Sequence, residues 1–187
     1  HKNFNPRIIE YFIDKKRWEK VPVADFVSTF LDYFDNPESV WDVAFNDLPK
    51  EGRYALFILA SMGSNVGIDD WYEAYKYFAT DLHLGLSADP LVWEKTIKLL
   101  EDSFIQTVRN SDNLILVRFI NPSILDFLVG KLQKQSNAVS LIVEHSYFVE
   151  QLYTIFTDSM SSRRYHANIK LDESQYTIVV RAFSRLI

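Results

Sequence analysis

Four times in this chain an Asn or Asp stands directly before a proline: Asn5-Pro6, Asn36-Pro37, Asp89-Pro90 and Asn121-Pro122. A short polar side chain at a helix N-cap accepts a hydrogen bond from the first free amides. Proline suits the next position, because its φ is preset and its missing N–H is not needed there. Each pair is therefore a predicted helix start. After Asn121-Pro122, the residues Ile124, Leu125, Phe127 and Leu128 supply one apolar face. The chain is expected to be mostly α.

The segments between these starts carry helical spacing. Asn5-Pro6 opens a predicted helix to about Trp18, and a second runs from about Val23 to Phe34 with Phe26, Phe30, Leu31 and Phe34 on one side. A third follows Pro37, with Val40, Trp41, Ala44, Phe45 and Leu48 apolar, so residues 1–48 are expected to form a small helical bundle. Residues 49–136 are predicted to be a winged helix. A helix from Pro49 stops at Gly63, and Ser64 to Ile68 is a short connector. Asp69 caps a helix to about Leu82, and Asp89 caps one to about Ser103. Phe104–Arg109 and Leu114–Ile120 then flank the four-residue turn Asn110-Ser-Asp-Asn113 as a two-stranded β-hairpin. Further C-terminal helices are predicted at about 122–135, 137–157 and 172–187, with a polar, basic loop at 159–168.

Composition narrows the function. The chain has 187 residues, 48% of them hydrophobic, enough for a sizeable core. It has no Cys, which removes disulfides, thiolate nucleophiles and Cys-based zinc sites together. Its four His are too widely spaced for a compact metal motif. No apolar run approaches the roughly 20 residues needed to cross a bilayer, and no signal peptide is expected. A cytoplasmic setting is expected. The chain begins at His1 without Met, which suggests a piece of a longer polypeptide.

Catalytic patterns are missing from the sequence. There is no G-x-x-x-x-G-K-S/T phosphate loop, no G-x-S-x-G elbow and no H-E-x-x-H pair. Glu144-His145 lies in an apolar helix pattern and is expected to be a packed or surface pair. We expect no catalytic and no metal-ligating residue in this chain.

Two segments carry a resemblance. Phe119-Ile-Asn-Pro-Ser-Ile-Leu-Asp-Phe-Leu128 resembles the F-x-N/H-P-S-x-x-D/E-F-L signature that closes the winged helix of STAND-type P-loop NTPases, and His1-Lys-Asn-Phe-Asn-Pro-Arg-Ile-Ile-Glu10 resembles the opening of their lid. The likeness is to the bacterial group and spans roughly residues 1–157. It implies that Asn5, Pro6 and Arg7 face a nucleotide bound by an upstream domain. It also implies that Asn121 stands where the family often has a phosphate-sensing His, with Pro122, Ser123, Asp126 and Phe127 supporting the motif. Asn can donate and accept but does not titrate. By this resemblance ATP or ADP belongs to the parent protein, whose NTPase domain packs on this region and whose activation involves oligomerisation, as in antiphage signalling.

The residues alone also allow plainer roles. Asn5-Pro6-Arg7 is a cap, a first-turn proline and an Arg at the positive end of a helix; Asn121 is a cap under the wing. A winged helix can also read DNA, but the predicted reading helix between Pro90 and Ser103 holds Glu94, Lys95, Lys98, Glu101 and Asp102, two bases against three acids. The whole chain carries a net charge of −5. DNA-reading helices bring Arg or Lys to phosphates and bases, so nucleic acid is not the expected partner. A helical scaffold for protein partners is the other alternative.

Overall fold

A computed structural model describes residues 9, 17–35, 37–63, 65–81, 84–101, 103–153, 169, 171 and 173–187. They fall in two compact units, His1–Asp47 and Leu48–Ile187.

In the first unit, 3₁₀ turns at Arg17–Lys20 and Val23–Asp25 precede helices α1 (Phe26–Asp35) and α2 (Pro37–Asn46). Trp41 and Phe45, four apart on α2, are buried as their spacing predicts. The helix expected from Val23 starts instead as a 3₁₀ turn, in which the Asp25 amide donates to the Pro22 carbonyl at 2.9 Å. Most of the helix expected at 5–18 lies outside the described residues.

The second unit is built around α3 (Lys50–Met62). Seven consecutive residues, Ala55 through Ser61, are buried, and a helix that is apolar on all sides needs neighbours on all sides. It has them in α4 (Ile68–Phe78), α5 (Pro90–Leu100), α6 (Pro122–Gln133) and α7 (Ser136–Glu144). Gly63 ends α3 at φ 99°, a left-handed geometry that glycine adopts without strain.

Between α3 and α4 the predicted connector is a strand. β1 (Val66–Gly67) pairs antiparallel with β3 (Ile115–Phe119), Val66 opposite Val117 and Gly67 opposite Leu116. β3 also pairs with β2 (Ile105–Arg109) through five residue pairs, so the order is β1-β3-β2. The expected two-stranded wing is thus part of a three-stranded sheet. Helix, strand, two helices and a hairpin is the element order of a winged helix, and this unit has it. Gly67 leaves room at the junction for the Asp70 carboxylate: a Cβ there would lie 2.6 Å from Asp70 Oδ2, which would have to swing aside. Asp69 does not cap α4; Gly67 holds the N-cap position, and Asp69 and Asp70 lie in the first turn, where the helix dipole favours negative charge.

Trp71, Ala74, Tyr75 and Phe78 form the buried stripe of α4. The Trp71, Tyr72 and Tyr75 rings all lie against Trp93 of α5, with centroids 4.8, 5.4 and 4.8 Å away. The Tyr72 and Tyr75 hydroxyls donate to the carbonyls of Ala88 and Ser87, and the Lys50 ammonium donates to that of Leu84. These contacts fix the loop that leads into α5. Burial first, and then the charge of Glu51, push the Tyr75 phenol well above its ordinary range. Its hydroxyl therefore stays protonated as the donor to Ser87.

The helix expected at 137–157 is broken. α7 stops at Glu144 and a separate 3₁₀ turn occupies Val149–Leu152. The buried Gln151 side chain causes the break to hold: its Oε1 accepts from the amides of Tyr147 (2.9 Å) and Phe148 (3.0 Å), while its Nε2 donates to Ser61 Oγ on α3 (3.1 Å). A last helix, α8 (Glu173–Leu186), packs along α7. The observed architecture is mostly helical, a helical first unit followed by a winged-helix-like region and further C-terminal helices, as the sequence predicts.

Candidate functional site

Asn121 follows β3 directly, with φ −135° and ψ 133°, an extended geometry that ends the strand and turns the side chain toward the next amides. Its Oδ1 accepts from the Ser123 amide at 3.0 Å, and its carbonyl accepts from Ile124 at 3.0 Å. Pro122 occupies the first helical turn. The cap expected from the sequence is therefore formed. Phe127 is buried, with the Lys131 ammonium 5.6 Å from its ring centre, whereas Asp126 is exposed on the outer face of α6. Asn5, Pro6 and Arg7 lie outside the described residues.

The cap gives a direct test. Asn121→Ala should lower unfolding stability by about 1 kcal/mol, the usual cost of losing an N-cap acceptor. Asn121→Asp should retain most of it. Urea titrations followed by circular dichroism measure both, and a loss below about 0.3 kcal/mol in the Ala variant would contradict the bond at Ser123.

The other surface a winged helix offers is α5 with the wing. Trp93, Thr96, Ile97 and Leu100 are turned inward and Asp89 caps the helix through the Leu91 amide at 2.7 Å. Leu91, one residue past the Pro90 start, is 67% exposed. It shares the outer face with Glu94, Lys95, Lys98 and Leu99. α5 ends at Leu100, short of the expected Ser103; Glu101 turns away and accepts from Thr107 Oγ1 at 3.1 Å. In the wing, the Asn110 side chain accepts from the amides of Asp112 and Leu114, and Asn113 takes a left-handed φ of 63°. Arg109 donates to Asn113 Oδ1 at 2.8 Å, and Leu114, beside it, is 59% exposed. Mixed charge interleaved with exposed leucines suits contact with protein better than contact with a polyanion.

His145 is packed and paired: its ring meets Phe78 edge-on and its Nε2 lies 3.3 Å from Asp81 Oδ2. Among the described residues, no group of three or more His, Cys, Asp or Glu is placed to hold a metal ion. No helix among them is long and apolar enough to cross a membrane. Sequence reasoning missed Gln151, Ser61 and Arg185, which join distant elements; nothing local marks them. No protein-family model, no curated protein and no solved structure matches this chain.

Proposed function

We propose that this chain is a non-catalytic regulatory region of a larger STAND-type P-loop NTPase. It packs on an upstream nucleotide-binding domain of the same polypeptide and couples the ATP or ADP state to signalling or oligomerisation, in a cytoplasmic defence response. The observation that carries this reading is the wing exit. The segment resembling the family signature spans the end of β3, the Asn121 cap and the start of α6, where that signature closes a winged helix. The exposed Leu91, Leu99 and Leu114 on α5 and the wing support packing against protein.

The test has two stages. The coding region before His1 is sequenced first, and a phosphate loop within one α/β domain upstream is expected. In the polypeptide that holds both parts, Arg7→Ala should weaken ADP binding about 10- to 100-fold, as loss of a hydrogen bond to a charged group implies. Basal activity should rise with it. Unchanged ADP affinity together with unchanged basal activity would remove Arg7 from nucleotide sensing.

The exposed leucines also favour a second reading, a protein-interaction winged helix with no nucleotide role. It expects an unrelated upstream region and no nucleotide dependence. A DNA-binding module, the remaining alternative, would show strongly salt-dependent retention of duplex DNA in filter binding.

A further inference from the structure

The last helix is held in an unusual way. Gln175, near the start of α8, donates to the Ser136 carbonyl at the start of α7. Arg185, near its end, donates to the carbonyls of Glu144 (2.5 Å) and Ser146 (2.7 Å) at the end of α7. The two helices therefore run side by side in the same direction. Their negative C-terminal ends fall together, and the Arg185 guanidinium sits between them. It also lies over the Tyr77 ring of α4, 5.6 Å from its centre.

Apolar burial supports this clamp only in part. On α8 the only fully buried apolar side chain is Ala182, with Ile178, Val179 and Leu186 half-buried. Four other apolar residues of this segment, Tyr176, Val180, Phe183 and Ile187, recur at intervals of four, three and four and are exposed, Val180 by 65% and Ile187 by 87%. A helix that leaves these side chains outside gains less from the hydrophobic effect on docking than one buried on all sides. By contrast, α3 is buried along seven consecutive residues.

The geometry points to α8 as a releasable strap: it undocks from α7 as one unit while the winged helix stays folded, and Arg185 sets the balance. Arg185 is the residue that satisfies two carbonyls at once and offsets the adjoining helix ends. The side chains released are those of a helix with apolar residues on both faces, the form suited to re-docking elsewhere.

Hydrogen exchange of the intact chain, read by mass spectrometry, tests this. In the wild type the α8 amides should exchange through an opening that needs less denaturant than that of α3. Arg185→Ala should speed α8 exchange about 10- to 100-fold, the range set by losing hydrogen bonds from a charged donor. Exchange in α3, α4 and α6 should not change. Arg185→Lys should fall between, since an ammonium keeps the charge but cannot match the planar fork. Arg181→Ala, an exposed arginine one turn away, should have little effect. The strap is overturned if α8 and α3 open together in the wild type, or if Arg185→Ala leaves α8 exchange unchanged. It is equally overturned if that variant accelerates α3, α4 and α6 as much as α8. None of these readouts involves nucleotide, so this result and the regulatory reading stand or fall separately.

Discussion

Trp71→Ala should remove about 3–5 kcal/mol from the unfolding free energy of the Leu48–Ile187 unit. Trp71 is fully buried where α3, α4 and α5 meet. Its indole N–H donates to the Ala55 carbonyl at 2.9 Å, and its ring meets Trp93 edge-on at 4.8 Å. Truncation would thus open a cavity, remove an aromatic contact and delete a buried hydrogen bond in one step. Domains are stable by only about 5–15 kcal/mol, so the loss is a large share of the whole. Trp71→Phe keeps most of the volume and should cost about half as much or less. Urea unfolding followed by far-UV circular dichroism gives both values. A loss under 1 kcal/mol for the Ala variant would show that the three helices do not meet on this ring.

Gln151→Leu is the second large effect, although the side chains are similar in size. It leaves the Tyr147 and Phe148 amides without their acceptor and takes the Nε2 donor from Ser61 Oγ. Removing one partner of a buried hydrogen bond costs about 1–3 kcal/mol, and partial hydration of the two amides limits the sum to about 2–3 kcal/mol. Ser61→Ala should cost less, because the Ser61 hydroxyl is satisfied locally by donating to the Ile58 carbonyl at 2.7 Å. The double variant should be little worse than Gln151→Leu alone, since both changes break one network. Additive losses in a double-mutant cycle would mean that the two side chains act independently.

What was legible in the sequence is what short-range chemistry decides. Asp89 and Asn121 cap their helices through amides two residues on, and Gly63 stops α3 within its last turn. The hairpin closes across Asn110–Asn113, whose side-chain bonds are local. What escaped was decided at a distance. Val66-Gly67 has no periodicity to betray a strand; it becomes one because Val117 and Leu116 are beside it. The apolar run at 137–157 keeps helical spacing through its break; Gln151, tied to the distant Ser61 and accepting from the Tyr147 and Phe148 amides, holds that break after Glu144. Asp69 resembles a cap in sequence, yet pairing of Val66-Gly67 moves the helix start two residues earlier, from Asp70 to Ile68. Arg185 reads as an ordinary charge on a polar face until α7 is set beside it. For the candidate site, the capping role of Asn121 was legible and is formed. Its relation to Asn5, Pro6 and Arg7 depends on residues beyond those described.

The sheet order has a consequence in time. β2 and β3 are neighbours in sequence and close through a short turn, whereas Val66 and Val117 lie 51 positions apart. Local contacts form fast, and pairings that close long loops come later. A chain emerging from its N-terminus holds α3 and α4 with Val66 unpaired until β3 has followed. Completion of this sheet therefore waits on the arrival of one short strand.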